Sequence, residues 1–210
     1  MMLQTRQLQF SYDDHRSFSF PDIDCGAGHS ILVLGPSGCG KSTWLHLICG
    51  LLRPRSGSIQ INQTDITNLS PQAMDAFRGK HIGVALQKPY FIQSLNVLEN
   101  LRLFQNMNDR SVSSDYAVEL LEALGLKGKE GQSTRTLSQG ELQRLNFARA
   151  LVCKPELLLA DEPTSALDDQ HAERIAGMLQ DLAAKQGAAL IVVTHDQRLK
   201  HRFPDQIQLT

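Results

Sequence analysis

A glycine-rich segment constrains the fold of this chain more than any other feature. The segment Gly35-Pro-Ser-Gly-Cys-Gly-Lys-Ser42 fits the pattern G-x-x-x-x-G-K-[ST] and follows the apolar run Ser30–Leu34. A helical pattern with Leu45, Ile48 and Leu51 on one side comes next. An uninterrupted apolar run before such a turn is typical of a parallel strand that is covered on both faces. We therefore predict an α/β fold in which a phosphate-binding loop joins a buried strand to a helix.

The residue types in this loop suit the phosphates of a nucleotide. Glycines allow backbone N–H groups to point at phosphate oxygens, and the helix that follows presents its positive end. We expect Lys41 to reach the β- and γ-phosphates and Ser42 to bind Mg²⁺. The alternative is a glycine-rich turn that binds nothing, which the flanking strand and helix disfavour. The predicted ATP-binding residues of the loop are Gly35, Pro36, Ser37, Gly38, Cys39, Gly40, Lys41, Ser42 and Thr43.

Two acidic residues end a second apolar run. Residues 157–160 are apolar, and Asp161 and Glu162 follow them. Asp161 suits the shell of the metal ion, through a water molecule, and Glu162 suits the polarisation of an attacking water. An acidic pair at this place is often only a polar strand end or a helix cap. The apolar run and the upstream phosphate loop favour the catalytic interpretation.

Three more polar side chains fit the same site. Gln87 ends the apolar strand predicted over 82–86, and His195 follows another predicted over 190–193. Ligands of open α/β sheets bind where parallel strands end, so Gln87 could reach the metal or its water. A single histidine at such a place is often structural. Tyr12 could stack on the base of a nucleotide or simply pack against its neighbours.

The remaining patterns indicate one domain over 1–210 with two additions to a mostly parallel sheet. Alternating residues at the N-terminus, such as Leu8 and Phe10, predict a small antiparallel subdomain. Helical periodicity dominates from about 89 to 155 and predicts an inserted helical subdomain. Buried strands return after it and flank a helix predicted from about 170 to 185.

Composition excludes several classes of protein. The 210 residues carry 21 Lys and Arg against 22 Asp and Glu, a net charge of −1, and 41% are hydrophobic. This balance is typical of a globular domain and predicts no nucleic-acid partner. The longest apolar runs hold about six residues, whereas a membrane-spanning helix needs about 20. Cysteines without metal-binding spacing and the lack of a secretion signal predict a cytosolic compartment; they are Cys25, Cys39, Cys49 and Cys153.

The segment Leu137-Ser-Gln-Gly-Glu141, taken alone, is a helix start capped by Ser138. Together with the other motifs and their order, it makes the whole chain resemble the ATP-binding subunit of an ATP-binding cassette (ABC) transporter. In that resemblance the motifs are Walker A at 35–42, the glutamine loop at Gln87, the signature at 137–141, Walker B at 157–162, the D-loop at 165–168 and the switch histidine His195.

The resemblance implies a P-loop NTPase of ABC type in which two subunits close head to tail over two ATP molecules. Ser138 and Gly140 would bind the γ-phosphate held by the partner's Walker A. Glu162 would be the general base, His195 would contact the γ-phosphate, Asp168 would communicate across the dimer and Tyr12 would stack on adenine. Two signature positions, Gln139 and Glu141, depart from the usual LSGGQ, and we expect a working site with altered local packing.

Segments 65–70, 77–83 and 97–101 resemble the branch that serves lipoprotein release, macrolide export and cell division. This implies a Mg²⁺-dependent ATPase that sits on the cytoplasmic face of the inner membrane and powers separately encoded membrane subunits. A coupling helix of those subunits would dock on the helical region after Gln87, which includes Tyr90, Phe91 and Leu95; the alternative for each of these three side chains is an ordinary hydrophobic core. An ABC ATPase of translation or DNA repair is the alternative, although such proteins commonly carry a second cassette or a long coiled coil. A small-molecule kinase would leave the signature and His195 without a role.

Overall fold

The structure is a computed structural model, and it describes residues 1–13, 17–107, 113–165 and 167–210. In these ranges the strands are β1 (Leu3–Ser11), β2 (Ser17–Ser19), β3 (Ile23–Cys25), β4 (Ser30–Leu34), β5 (Ser56–Ile61), β6 (Thr64–Asp65), β7 (Ile82–Ala85), β8 (Leu157–Asp161), β9 (Ala189–Thr194) and β10 (Asp205–Gln208). The helices are α1 (Lys41–Ile48), α2 (Pro71–His81), α3 (Val97–Met107), α4 (Ser114–Ala123), α5 (Gln139–Leu151) and α6 (Asp169–Gln186).

The central sheet is parallel throughout, in the order β10-β4-β9-β8-β7. Strands β8 and β9 are buried along their whole length, as the uninterrupted apolar runs predict. Register brings the carboxyl ends together, because Leu34 of β4 pairs with Thr194 of β9, and Val193 pairs with Asp161 of β8. The segments that follow β4, β7, β8 and β9 therefore meet at one edge of the sheet.

Each face of this sheet has its own apolar core. In β4, Leu32 and Leu34 face a core shared with α3, α4, α5 and α6. Ile31 and Val33 point the other way, to a core formed with α1 and the N-terminal strands, where Trp44 is fully buried. Each buried side chain of this size contributes roughly 1.5–3 kcal/mol. The two cores hold the sheet edge rigidly between helices and a second sheet.

The second sheet is antiparallel, with β1 at its centre between β2, β3 and β5, and with β6 paired to β5. It packs its apolar face on the core that contains α1. Tyr12 follows directly after β1, so this sheet sets the position of Tyr12 beside the phosphate loop. The predicted fold class, a mostly parallel sheet with an antiparallel N-terminal addition, is confirmed.

Helices α3, α4 and α5 lie between β7 and β8, which are neighbours in the sheet. The helices pack on each other through apolar side chains that include Leu101, Leu121 and Leu145, all fully buried. A loop of some seventy residues that leaves and re-enters between two adjacent strands needs such a core of its own. Among the described residues, no helix is both long enough and apolar enough to cross a bilayer.

Two local predictions were wrong. Helix α1 ends at Ile48, and Leu51 lies beyond it with 57% of its surface exposed. Gly50, with a φ of +66°, turns the chain out of the helix, which is a common helix stop. Strand β7 ends at Ala85, so Gln87 lies two residues past the strand and not at its end. Helix α2 begins at Pro71, and the Ser70 side chain caps it by accepting from the backbone N–H of Ala73.

Candidate active site

An open cleft of about 760 Å³ lies at the carboxyl edge of the parallel sheet. Its volume is within the range of sites that bind small molecules such as nucleotides. The cleft brings together residues from the phosphate loop, from three strand ends and from the antiparallel sheet. Its lining consists of Tyr12, Phe18, Pro36, Ser37, Gly38, Gly40, Lys41, Ser42, Thr43, Gln87, Glu162 and His195.

The phosphate loop owes its shape to glycines at specific places. Gly40 begins α1 with a φ of +98°, a conformation that side chains other than glycine rarely adopt. At Gly35 a β-carbon would lie 2.5 Å from Cys39 Sγ, so the loop closes on itself there. Lys41 is buried, and its Nζ donates to the carbonyls of Gly35 at 2.8 Å and Pro36 at 2.9 Å. The ammonium is therefore fixed at the mouth of the loop.

Asp161 ends β8 and offers an oxygen suited to a cation. The residue is 8% exposed, and its Oδ1 has no hydrogen-bond partner among the residues that the structure describes. Burial, followed by the neighbouring Glu162 carboxylate, raises the pKa of Asp161, while a hydrogen bond from Ser42 acts in the opposite direction. A buried carboxylate oxygen beside a hydroxyl matches the hard oxygen ligands that Mg²⁺ prefers. The residues present thus fit a magnesium ion bound with nucleotide.

Glu162 is the most constrained side chain of the site. The Thr194 hydroxyl donates to Glu162 Oε2 at 2.7 Å, and the backbone N–H of His195 donates at 3.2 Å to Oε1. The Nδ1 of His195 lies 2.8 Å from Oε1, and Lys41 Nζ lies 3.8 Å from the same oxygen. Glu162 also has a φ of +49°, which is strained for a residue with a side chain. Strain held in place by packing is common where a carboxylate must point at a substrate.

His195, directly after β9, and Gln87, two residues past β7, line the same cleft. His195 exposes 59% of its side chain while Nδ1 is held by Glu162, so the rest of the ring is open to the cleft. Gln87 is exposed and lines the cleft between β7 and the helical region. Both predicted side chains are therefore at the site.

Tyr12 lies at the end of the cleft away from the strand termini. Its ring is 57% exposed, and its hydroxyl is 3.0 Å from Thr43 Oγ1. Phe10 and Phe18 contact it edge to face, at centroid distances of 4.7 and 6.2 Å. An aromatic ring fixed in this way and still exposed can stack on a planar group.

The signature segment is a helix N-terminus held by a capping box. The Ser138 hydroxyl accepts from the backbone N–H of Glu141 at 3.3 Å, and the Glu141 carboxylate accepts from that of Ser138 at 2.8 Å. Lys129 Nζ lies 2.7 Å from the same carboxylate. The hydrogen bond from Lys129, and then that from the Ser138 backbone, lower the pKa of Glu141 to about 2. Glutamate at this position therefore stabilises the helix start.

The signature residues lie outside the phosphate cleft. Ser138 and Gln139 are exposed, and Gly140 and Glu141 are half-buried. All four are described, and none of them lines the cleft. Gln139 borders a smaller cavity of about 270 Å³ that also touches Gln87. No signature residue therefore lines the phosphate cleft of its own chain, and Gln139 meets Gln87 and Glu162 only in the smaller neighbouring cavity.

Asp168, the predicted D-loop aspartate, caps α6. Its carboxylate accepts from the backbone N–H of His171 at 3.0 Å and lies 2.7 Å from the His171 ring. These contacts, led by the backbone hydrogen bond, lower the pKa of Asp168. Ala166, in the same predicted loop, lies outside the described residues.

Sequence reasoning did not single out several residues that support the site. Thr194 and Thr164 are fully buried, and Asp196 is 8% exposed. Asp196 caps the 3₁₀ helix Gln197–Arg202, and Arg198 pairs with it. An aspartate two residues after the strand that ends at Thr194 is a helix-cap signal that the sequence contained.

Comparisons with known proteins agree with this geometry. A family model described as "ABC transporter" matches residues 21–165. A lipoprotein-releasing system ATP-binding protein, LolD, from Legionella pneumophila (strain Paris) is 35% identical over 97% of this chain and 92% of its own length. LolD of Colwellia psychrerythraea (strain 34H) is 37% identical over 99% and 83%. The dimeric ATP-binding cassette MJ0796, solved in a post-hydrolysis state with ADP and Pi, superposes with a TM-score of 0.88 at 29% identity, covering 100% of this chain and 94% of that one.

Proposed function

This chain belongs to the ABC transporter family, as an ATP-binding subunit, and from that membership we propose how its residues hydrolyse ATP and for what purpose. Glu162 carries the proposal. Its carboxylate is buried and oriented by Thr194 and His195, and it lies beside the Lys41 ammonium at the mouth of the phosphate loop. A fixed carboxylate next to a phosphate loop is what the activation of water requires.

Hydrolysis then divides among the side chains of the cleft. Lys41 and the loop N–H groups hold the β- and γ-phosphates, and Tyr12 stacks on the adenine. Glu162 takes a proton from water as the water oxygen attacks the γ-phosphorus and the bond to the bridging β–γ oxygen breaks. His195, with Nδ1 on Glu162, contacts the γ-phosphate and helps to position the water. The other loop residues, 35–40 and 42–43, supply the backbone cradle.

Ser42, Gln87 and Asp161 are the proposed metal ligands, with Asp161 acting through water. Two observations support this assignment. Oδ1 of Asp161 has no hydrogen-bond partner among the described residues, and the Asp161 carboxylate accepts a hydrogen bond from Ser42. A bound Mg²⁺ would neutralise the charge that develops on the phosphate oxygens. The same hydroxyl and carboxylate, without a cation, would leave a buried oxygen unsatisfied at a cost in stability.

The ATP site is completed by a second copy of the chain. The signature residues 138–141 lie outside their own chain's phosphate cleft, and the similar cassette MJ0796 is described as dimeric. In a head-to-tail dimer, Ser138 and Gly140 of each copy bind the γ-phosphate held by the other, next to Gln139 and Glu141. Asp168, at the start of α6, communicates across the same interface.

The proposed role is the release of lipoproteins from a membrane, because the relatives described above are named for that system. The chain would drive separately encoded membrane subunits from the cytoplasmic face of the inner membrane. A role in translation or DNA repair has no support among these relatives. Chromatography of the chain with candidate membrane subunits would test the partner: co-elution supports the role, and stimulation of the ATPase by nucleic acid instead would oppose it.

The catalytic assignment has a matched test within one strand. Glu162 directly follows β8, and Glu156 directly precedes it, bonded to His81 and Asn62 far from the cleft. Glu162→Gln should keep ATP binding and lower kcat about a thousandfold, because a general base contributes 10²–10⁴. Glu156→Gln should keep kcat within about twofold. Steady-state phosphate release by both variants measures kcat. Undiminished hydrolysis by Glu162→Gln would contradict the assignment of Glu162 as the general base.

A further inference from the structure

A hydrogen-bond network leads away from the catalytic carboxylate into the protein. Thr194 Oγ1 donates to Glu162 Oε2 at 2.7 Å and accepts from the backbone N–H of Asp196 at 3.0 Å. The Asp196 carboxylate is buried, and its Oδ2 accepts from Thr164 Oγ1 at 2.8 Å. Asp196 also follows His195 directly in the chain. A displacement of Glu162 can therefore be transmitted to Asp196 through two hydrogen bonds by way of Thr194. A displacement of His195 is transmitted through the peptide bond that joins the two residues.

Arg198 joins Asp196 to the segment that begins α6. Its guanidinium donates to both carboxylate oxygens of Asp196 at 2.8 Å each. Two of its nitrogens also donate to the Leu167 carbonyl, at 3.2 and 3.3 Å, and one bonds the Asp169 carboxylate. The pairing with Arg198 lowers the pKa of Asp196, so this carboxylate stays charged near neutral pH. The planar guanidinium of Arg198 thus binds both Asp196, after β9, and the segment that begins α6.

We propose that Arg198 is a positioning residue that couples the state of the ATP site, sensed at Glu162 and His195, to Asp168 of the same subunit. Asp168 lies between Leu167 and Asp169, the two residues that Arg198 grips. The inference rests on the proposed function, because it takes Asp168 to lie at the interface with the second copy. Arg198 itself does not line the cleft, so it acts through the residues that it holds.

A guanidinium suits the simultaneous contact with the Asp196 carboxylate and the Leu167 carbonyl better than an ammonium does. Its donors form a rigid fork that satisfies a carboxylate and a carbonyl at once, whereas a lysine ammonium binds as a point charge. Arg198→Gln removes the fork, and Arg198→Lys keeps the positive charge without it. If coupling depends on the fork, lysine fails to rescue glutamine.

The test measures ATP hydrolysis by the full chain as a function of ATP concentration. Arg198→Gln should lower kcat about tenfold, the effect expected of a lost coupling of moderate size. The Hill coefficient for ATP should fall towards one, because two sites that no longer communicate act independently. Nucleotide-binding stoichiometry and KM should stay within about twofold, because the cleft is intact.

Arg202 provides the matched control. It lies on the same 3₁₀ helix and also pairs with α6, through Glu173 and Gln180, away from Asp168. Arg202→Gln should leave kcat and the Hill coefficient unchanged. Asp169→Ala removes the exposed acceptor of only one arm of the Arg198 contacts, and it should reproduce part of the Arg198→Gln effect.

Three results would overturn the coupling role. They are a kcat for Arg198→Gln within twofold of the parent together with an unchanged Hill coefficient, an equal loss in Arg202→Gln, and full rescue by Arg198→Lys. A melting temperature and a binding stoichiometry for each variant separate coupling from a loss of folded protein. The proposed function fails differently: the parent chain would not hydrolyse ATP, or Glu162→Gln would hydrolyse it normally.

Discussion

The two parts of the proposed ATP site differ in how completely one chain builds them. On the cleft side, Lys41, Asp161 and Glu162 are each less than 10% exposed and are held by neighbouring elements. On the signature side, Ser138 and Gln139 are exposed, and the polar contacts that hold the helix start are those of its capping box and Lys129.

This difference follows from what each part must do. Buried strand ends position charges that would otherwise be solvated, and a low-dielectric setting strengthens their effect on phosphate. A surface that meets a second copy must stay accessible before the two copies close. The capping box satisfies the N–H groups of Ser138 and Glu141 within the chain and fixes the helix start while Ser138 and Gln139 remain exposed.

Among the further substitutions that test this difference, we expect the largest loss of kcat at the signature. Ser138→Ala removes a hydroxyl that caps α5 and that, in the proposed dimer, would contact the partner's nucleotide. Losing one donor to a transition-state oxyanion typically lowers kcat about a hundredfold. Ser133→Ala is the matched control, since Ser133 caps the preceding 3₁₀ turn in the same way. Equal effects of the two substitutions on kcat would reduce Ser138 to a structural cap.

A smaller effect is expected at Tyr12, which lines the cleft beside the phosphate loop. Tyr12→Ala removes the exposed ring, and the Kd for ATP should rise about tenfold, as for other lost base stacking. Tyr12→Phe keeps the ring and loses only the contact with Thr43, so its Kd should change by less than about threefold. Equilibrium binding of a fluorescent ATP analogue measures both. If Tyr12→Ala binds like the parent, the ring serves packing.

The smallest effect concerns the charge of the signature helix. The hydrogen bond from Lys129 makes the largest contribution to the low pKa of Glu141, which is about 2. Lys129→Met should move that pKa up towards its ordinary 4.5, which a side-chain NMR titration records. The folded pKa lies below the unfolded one, so the pair stabilises the fold above pH 4.5, and the contribution is lost as the pH falls towards 2. Lys127→Met, which removes a partner of Glu122, should leave the Glu141 titration unchanged.

The cleft side was predictable from sequence because its signals are local. The phosphate loop, the acidic pair after an apolar run and the histidine after another run each sit in a short window around one strand end. The carboxyl ends of parallel strands lie at one edge of the sheet, where ligands of such sheets bind. That is why Lys41, Glu162 and His195 line one cleft as expected.

The contacts between these windows were not predictable. The bonds from Thr194 and His195 to Glu162 depend on β9 lying next to β8, a pairing that no local pattern states. Arg198 lies on a surface helix, and only the fold shows that it reaches Leu167. The end of α1 is a different case, because Gly50 was a stop signal that the apolar periodicity obscured.

The mass of the Glu162→Gln variant in solution tests the central claim that one ATP site needs two copies. With ATP and Mg²⁺, this variant should have twice the mass of the chain by light scattering, and it should return to a single chain when ATP is replaced by ADP. Adding Ser138→Arg should prevent the doubling while ATP still binds. A variant that binds ATP and remains a single chain, or a dimer that Ser138→Arg does not disturb, would contradict the account.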